Sequence, residues 1–190
     1  MRISGDTAVD RECLRRRYRP ARVRLLFVGE APPASGRFFY CANSGLYRTI
    51  RDTFVTAFPA LGGRDFLASF RALGCYLVDL CATPVDRLTS ELRAKTCADA
   101  EARLSSTLED LCPKIIITVV RSIAPNVMRS QQQANWRGAY YQLPYPGRWR
   151  HHRVAFEASL VPVLQRELGK DSRSDHLSSN DILGNNFPAR

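Results

Sequence analysis

The sequence predicts an α/β/α sandwich, in which helices cover both faces of a central four-stranded, mostly parallel sheet. Short apolar runs recur along the chain, and segments with helical patterning separate them. The runs are apolar throughout rather than at every second position, which is typical of strands buried on both faces. Strands that alternate with helices favour a parallel sheet between two helical layers.

Four strands are expected, of which three are largely apolar and the last is weaker: residues 23–29, 75–80, 114–120 and 139–143. In a parallel sheet of this kind, a ligand site forms beyond the carboxyl ends of the strands. Those ends are therefore where functional residues are expected: residues 29–32, 79–81, 120–121 and 144–146.

Helices are expected at five places: residues 44–58, residues 65–72, residues 97–111, a segment after Arg121, and residues 154–168. Pro125 is tolerated only in a first helical turn, where the missing N–H would have no partner. Pro162 is expected to kink the last helix, because proline removes an internal hydrogen bond.

The length of 190 residues suits one domain with extensions at its ends. Residues 1–21 are rich in arginine and have one weak helical stretch at residues 10–18, so we interpret them as a basic N-terminal arm. Residues 22–168 hold the expected strands and helices. Residues 169–190 are polar, rich in serine and asparagine and without periodicity, which predicts a disordered tail.

The charge of the chain indicates an anionic partner. The formal net charge is +10 and the pI about 9.8. Only Lys95, Lys114 and Lys170 are lysines, so arginine carries nearly all of the positive charge. Arginine makes forked contacts to phosphate, which favours a nucleic acid. A GC-rich genome would also account for the ratio of arginine to lysine, although not for the net charge.

The cysteines, histidines and apolar runs narrow the class of protein further. The six cysteines form no CxxC pair and no apolar leader is present, so we expect a reduced, cytoplasmic protein. No apolar run approaches the roughly 20 residues of a membrane helix, so we expect no membrane contact. The three histidines are not grouped with cysteines at zinc spacing. We therefore expect a monomer without a metal or another cofactor.

Motifs at the strand ends resemble those of one enzyme family. The first strand ends in VGEAPP (28–33), and GRFFY (36–40) and a helix start at SGL (44–46) follow it. Further along the chain come LVDL (77–80), PKIII (113–117) and LPYP (143–146). In this order the motifs resemble those of the uracil-DNA glycosylase superfamily, nearest its GEAPG-bearing class, over about residues 23–168.

The resemblance implies an enzyme that flips a damaged base out of DNA and cleaves its N-glycosidic bond. Cleavage builds positive charge on the sugar, so a carboxylate near the sugar is needed. By resemblance, Glu30 stabilises that charge and orients the attacking water. A carboxylate at this position could instead cap the following turn.

The resemblance also implies a base pocket. Phe39 matches the aromatic residue on which the flipped base stacks, and Ala31 and Pro32 line the same pocket. Phe39 could instead be a core residue, and Phe38 or Tyr40 could exchange places with it.

The second family motif departs from its usual form, because Tyr145 stands where the family has a histidine that stabilises the leaving base. Either the hydroxyl of Tyr145 donates a hydrogen bond to the base, or His151 or His152 takes over this role. Residues 145–153 (YPGRWRHHR) are expected to form a basic loop at the minor groove. Trp149 lies where the family's wedge residue sits. The remaining DNA contacts are expected from Arg148, Arg150, His152 and Arg153.

Asp79 occupies the position where the family usually has an asparagine that reads the base edge. A protonated carboxyl could make both hydrogen bonds to uracil, and burial would raise its pKa in that direction. Asp79 could instead cap a loop or bind an arginine.

Cys81 and Cys97 lie where some members of the class keep two of four iron–sulfur ligands. The family's other two ligands lie nearer the amino terminus, and Cys13 is the one cysteine here that could correspond to either of them. We therefore expect no iron–sulfur cluster.

The sequence therefore predicts a monofunctional DNA glycosylase of base excision repair. Such a hydrolase would remove uracil, and other deaminated bases such as hypoxanthine, and would leave an abasic site. The alternative is a protein of the same fold that binds uracil-containing or abasic DNA with little or no catalysis. An unrelated nucleotide-binding domain is a third possibility, but no GxGxxG or phosphate-loop lysine supports it.

Overall fold

The structure is a computed structural model that describes residues 8–147 and 149–169. Its strands are β1 (Leu25–Gly29), β2 (Cys75–Asp79), β3 (Ile115–Thr118) and β4 (Ala139–Gln142). They form one parallel sheet in the order β2-β1-β3-β4. Helices surround this sheet, so the expected α/β sandwich with a four-stranded central sheet is confirmed.

The strands are buried because they are apolar on both faces. Every residue of β1, β2 and β3 is buried, whereas β4 at one edge is half-exposed. Phe27 in the centre of β1 lies opposite Leu77 of β2 and Ile117 of β3. The in-register pairing of β1 with both neighbours aligns the carboxyl ends of these three strands, which creates the edge where the candidate site lies.

The described residues form seven α-helices: α1 (Ala8–Arg17), α2 (Gly45–Ala57), α3 (Phe66–Ala72), α4 (Ser90–Asp99), α5 (Glu101–Leu111), α6 (Ala124–Gln133) and α7 (Arg150–Leu168). Short polar side chains fix the starts of three of them. Ser44 accepts a hydrogen bond from the Tyr47 N–H, Asp65 from that of Ala68, and Thr89 from that of Leu92. None of the helices within the described ranges combines the length and apolar character needed to cross a membrane.

Two helices differ from the sequence-based expectation. The helix expected at residues 97–111 is interrupted at Ala100, where α4 ends and α5 begins. Residues 97–99 belong to α4, and residues 101–111 form α5. The last helix was expected to begin at residue 154, but α7 begins at Arg150 and continues through Pro162. The basic stretch expected as a loop therefore lies largely on the first turn of α7, and that expectation was wrong.

Residues 8–21, expected as part of a basic arm, pack against the rest of the domain through α1. Tyr18 stacks on Tyr40 with ring centroids 5.5 Å apart, and Arg15 pairs with Asp79. The Tyr40 hydroxyl accepts from the Leu77 N–H at 2.8 Å and donates to the Leu77 carbonyl at 3.0 Å. These contacts satisfy backbone groups on the outer side of the edge strand β2. The expected disordered tail lies, beyond Gly169, outside the described residues.

Candidate active site

A cavity of about 980 Å³ opens at the carboxyl ends of β1 and β3. Four segments line it: residues 29–33 after β1, the start of α2 at residues 44–46, residues 119–120 after β3, and the first turns of α7. This is the edge of a parallel sheet at which ligand sites form. The volume is in the range typical of small-molecule and cofactor sites.

Glu30 is the carboxylate that directly follows β1, and it lines the cavity. Arg93 of α4 grips it through two parallel hydrogen bonds, from Nε to Oε1 at 2.6 Å and from Nη2 to Oε2. The Cys97 thiol lies 3.8 Å from Oε1. The backbone carbonyl of Glu30 accepts from the Cys81 N–H at 2.7 Å. Glu30 is thus held by its side chain and its backbone. Among the described residues, its carboxylate accepts no hydrogen bond from the backbone of the turn that follows it.

Phe39 lies in the cavity wall, as do Ala31 and Pro32. Its ring packs edge-on against Tyr40 at 5.1 Å and lies 5.4 Å from Phe70, so one side belongs to the core. Neither Phe38 nor Tyr40 is among the described residues that line the cavity. Of the three neighbouring aromatic residues, Phe39 is therefore the one that borders the cavity, but it is only 3% exposed.

The first turns of α7 contribute a row of four side chains to the opposite wall of the cavity. Arg150, Arg153, Val154 and Glu157 all line the cavity. Their spacing of three and four residues puts them on one face of the helix. Tyr145, which precedes this helix, lies at the mouth of the cavity and is 55% exposed. The structure thus brings Tyr145, Arg150 and Arg153 together with Glu30 around one cavity.

The histidines and the tryptophan of the same stretch face elsewhere. His151, His152 and Trp149 are not among the described residues that line the cavity. The two imidazole rings lie 4.1 Å apart, and His152 packs against Gly147 so closely that a Cβ there would be 2.4 Å from Nδ1. Trp149 is the N-cap residue of α7 and is 64% exposed. Arg148 lies outside the described residues.

Asp79 is buried behind the sheet edge and does not belong to the described lining of the cavity. Its Oδ2 accepts a hydrogen bond from Arg15 Nη2 at 2.9 Å, and Arg103 donates to its backbone carbonyl. Burial raises the pKa of Asp79, although the neighbouring Arg15 and Arg103 oppose this shift. The alternative of an arginine partner describes the observed arrangement, and the reading of a base edge by Asp79 stays a prediction.

Several cavity residues were missed by the sequence interpretation. Arg93 lies on α4, whose weak amphipathic pattern hid the helix. Arg37 and Arg48 also line the cavity, but nothing distinguishes them among so many arginines. Ser44 and Gly45, expected from the sequence as a helix start, also line the cavity and place the positive end of the α2 dipole there.

Cys81 and Cys97 lie side by side, with their sulfur atoms 3.7 Å apart. Burial raises the pKa of Cys81 to about 12 and also raises that of Cys97, so both are protonated thiols at neutral pH. Within residues 8–147 and 149–169, no group of three histidine, cysteine or carboxylate side chains could hold a metal ion. The absence of an iron–sulfur cluster stays a prediction.

The cavity thus combines a carboxylate at a strand end, an aromatic wall and several arginines. Comparison with known proteins adds no further assignment: no protein-family model matches the chain, and no curated protein is significantly similar to it.

Proposed function

We propose that this protein is a DNA glycosylase that excises uracil, and other deaminated bases such as hypoxanthine, and leaves an abasic site. The observation that carries the proposal is the position of Glu30. Its carboxylate lines a cavity at the carboxyl end of the central strand, and Phe39 in the same wall offers a ring for a flipped base.

The reaction breaks the bond between the sugar C1′ and the base nitrogen, and both bonding electrons leave with the base. Positive charge develops on the sugar, which the Glu30 carboxylate stabilises. Water then bonds to C1′ and gives a proton to Glu30, which passes it to solvent. The Tyr145 hydroxyl, at the mouth of the cavity, can donate a hydrogen bond to the leaving base.

DNA would be held by the arginines around the cavity. Arg150 and Arg153 lie on the α7 face that lines it, and Arg37 and Arg48 line other parts of it. The first turn of α2 adds unpaired backbone N–H groups and the positive end of a helix dipole. These groups suit the phosphates on either side of a flipped nucleotide. We further propose that the protein acts as a cytoplasmic monomer without a cofactor.

A second candidate function is binding of uracil-containing or abasic DNA without turnover. Two observations favour it. Arg93 occupies both carboxylate oxygens of Glu30, which weakens Glu30 as a base toward water. Tyr145 is a poorer stabiliser of a leaving base than a protonated histidine.

Alkaline cleavage separates the two candidates. Purified protein is incubated with an end-labelled oligonucleotide that holds one uracil, and abasic sites are converted to strand breaks with alkali. A glycosylase produces a break at the uracil and none in the matched thymine oligonucleotide. A binding protein shifts the uracil oligonucleotide on a native gel but leaves it intact after alkali, and that result would contradict the proposed enzyme. Repeating the assay with hypoxanthine, xanthine and thymine opposite guanine defines which lesion is preferred.

A further inference from the structure

The helix α4 presents two side chains to Glu30. Arg93 and Cys97 are four residues apart and therefore lie on the same face of the helix, one turn apart. Arg93 makes the paired hydrogen bonds to the Glu30 carboxylate, and the Cys97 sulfur lies 3.8 Å from Oε1. Both contacts reach the cavity from the same element, so α4 determines where the carboxylate lies.

Other contacts fix α4 against the strand ends. Cys97 is buried beside Cys81, which follows β2, with 3.7 Å between the sulfur atoms. Thr89 caps the start of the helix. The Cys81 N–H, in turn, binds the backbone carbonyl of Glu30 at 2.7 Å. The helix that carries Arg93 therefore contacts, through Cys97, the same residue whose backbone binds Glu30.

Arg93 differs from the other arginines of the cavity. Among the described residues, the side chains of Arg37, Arg150 and Arg153 make no hydrogen bond or ion pair, so their guanidinium groups are available to phosphate. The guanidinium of Arg93 is instead committed to a carboxylate that is only 12% exposed. A carboxylate so shielded from water needs a counter-charge, and the planar guanidinium fixes its orientation as well.

We propose that Arg93 is a positioning residue, which holds the ionised Glu30 carboxylate in the orientation needed to stabilise the sugar and direct the water. The inference rests on the proposed glycosylase function and deepens it. Two parallel hydrogen bonds restrict rotation of the carboxyl group, whereas each carboxylate oxygen keeps a further lone pair that can accept from water. Arg93 acts on the reaction through Glu30 and contributes little to DNA affinity.

The experiment compares steady-state cleavage of the uracil oligonucleotide by the wild type, Arg93→Met, Arg93→Lys and Arg71→Met. Methionine keeps much of the length of arginine without its charge, and we expect kcat to fall about ten- to a hundredfold with KM changed less than about threefold. Lysine restores the charge but not the paired hydrogen bonds, so it should recover part of the loss. Arg71, an exposed arginine on α3 away from the cavity, is the charge-matched control and should behave as the wild type.

A double variant tests whether Arg93 acts through Glu30. If it does, Glu30→Gln with Arg93→Met should cleave no more slowly than Glu30→Gln alone. Circular dichroism and the thermal midpoint establish that each variant is folded. The inference is overturned if Arg93→Met raises KM and leaves kcat unchanged, or if its loss adds fully to that of Glu30→Gln. A wild-type protein that makes no strand breaks would contradict the proposed function, and this inference with it. Cleavage by the wild type with unchanged kcat in Arg93→Met would contradict the inference alone.

Discussion

Two neighbouring strand ends carry a carboxylate bound by an arginine, yet their surroundings differ. Glu30 follows β1 and pairs with Arg93, whose side chain is 43% exposed at the cavity. Asp79 ends β2 and pairs with Arg15 of α1, whose side chain is only 10% exposed. Gly29 and Asp79 lie directly opposite each other in the sheet, so the two carboxylate residues stand at the same end of adjacent strands.

The difference comes from the position of each strand in the sheet. β1 is central, and the loop after it opens into the cavity between α2, α4 and α7. β2 is an edge strand, and α1 and the Tyr40 hydroxyl cover its outer side. A carboxylate at the end of a parallel strand is therefore a functional candidate only where the neighbouring elements leave it open. At the end of β2, α1 covers the Asp79 carboxylate, and Arg15 of that helix forms a buried ion pair with it.

The largest effect is expected from replacing Arg15, which should lower the free energy of unfolding. Removing one partner of a buried ion pair leaves an uncompensated charge, so Arg15→Met should lower the free energy of unfolding by about 3–5 kcal/mol. Arg16→Met, on the exposed side of the same helix, should change it by less than about 0.5 kcal/mol. Urea denaturation measures both. Equal stability of the two variants would show that the Arg15–Asp79 pair is not a structural centre.

The next effect is on catalysis, at Glu30. We expect Glu30→Gln to lower the rate of uracil release at least about tenfold, and up to about a thousandfold, because a well-placed electrostatic stabiliser is lost. Uracil-DNA binding and the unfolding free energy should stay close to wild type, since the Arg93 left behind is partly solvated. Single-turnover cleavage, gel shift and urea denaturation provide the three readouts. Unchanged cleavage would place the chemistry away from the loop after β1.

Much of this comparison could be anticipated from sequence, because it depends on local pattern. Apolar runs predicted the three buried strands, and the glycine that ends the first run marked the end of β1, whereas the weaker fourth run corresponds to the half-exposed β4. The serine at position 44 gave the start of α2 within one residue. The resemblance implied that Glu30, Phe39, Ala31 and Pro32 share one site, and the structure places all four in the cavity wall.

What could not be anticipated depends on contacts between distant segments. The pairing of Asp79 with Arg15 spans 64 residues, and no local pattern marks it. Arg93 approaches Glu30 from a helix whose sequence, SELRAKTCAD, has no clear apolar face. The charged residues after Tyr145 were expected as a loop because arginine and histidine give no apolar period, yet both are compatible with a first helical turn.

A smaller effect is expected at Trp149, the exposed N-cap residue of α7. If the exposed ring replaces a flipped base in the stack, Trp149→Ala should weaken cleavage of duplex uracil-DNA by about 1–3 kcal/mol, or about five- to a hundredfold. Single-stranded substrate requires little unstacking, so its cleavage should hardly change. Val9→Ala, which removes an exposed apolar side chain of α1, is the control. Equal losses on both substrates would argue against a wedge.

The smallest effect, on the pH dependence of stability, tests whether burial or pairing dominates at Asp79. Burial raises the pKa of this carboxyl above its unfolded value, near 3.9, despite the opposing charges of Arg15 and Arg103. Between the two pKa values the folded protein binds the proton more tightly than the unfolded chain. The contribution of Asp79 to stability is therefore fully present below about pH 4 and is lost as the pH rises through the folded pKa. Asparagine cannot titrate, so the unfolding free energy of the wild type, measured relative to Asp79→Asn, should fall as the pH rises from 4 to 7. A rise over the same interval would show that the charge of Arg15 outweighs burial and holds Asp79 in its charged form.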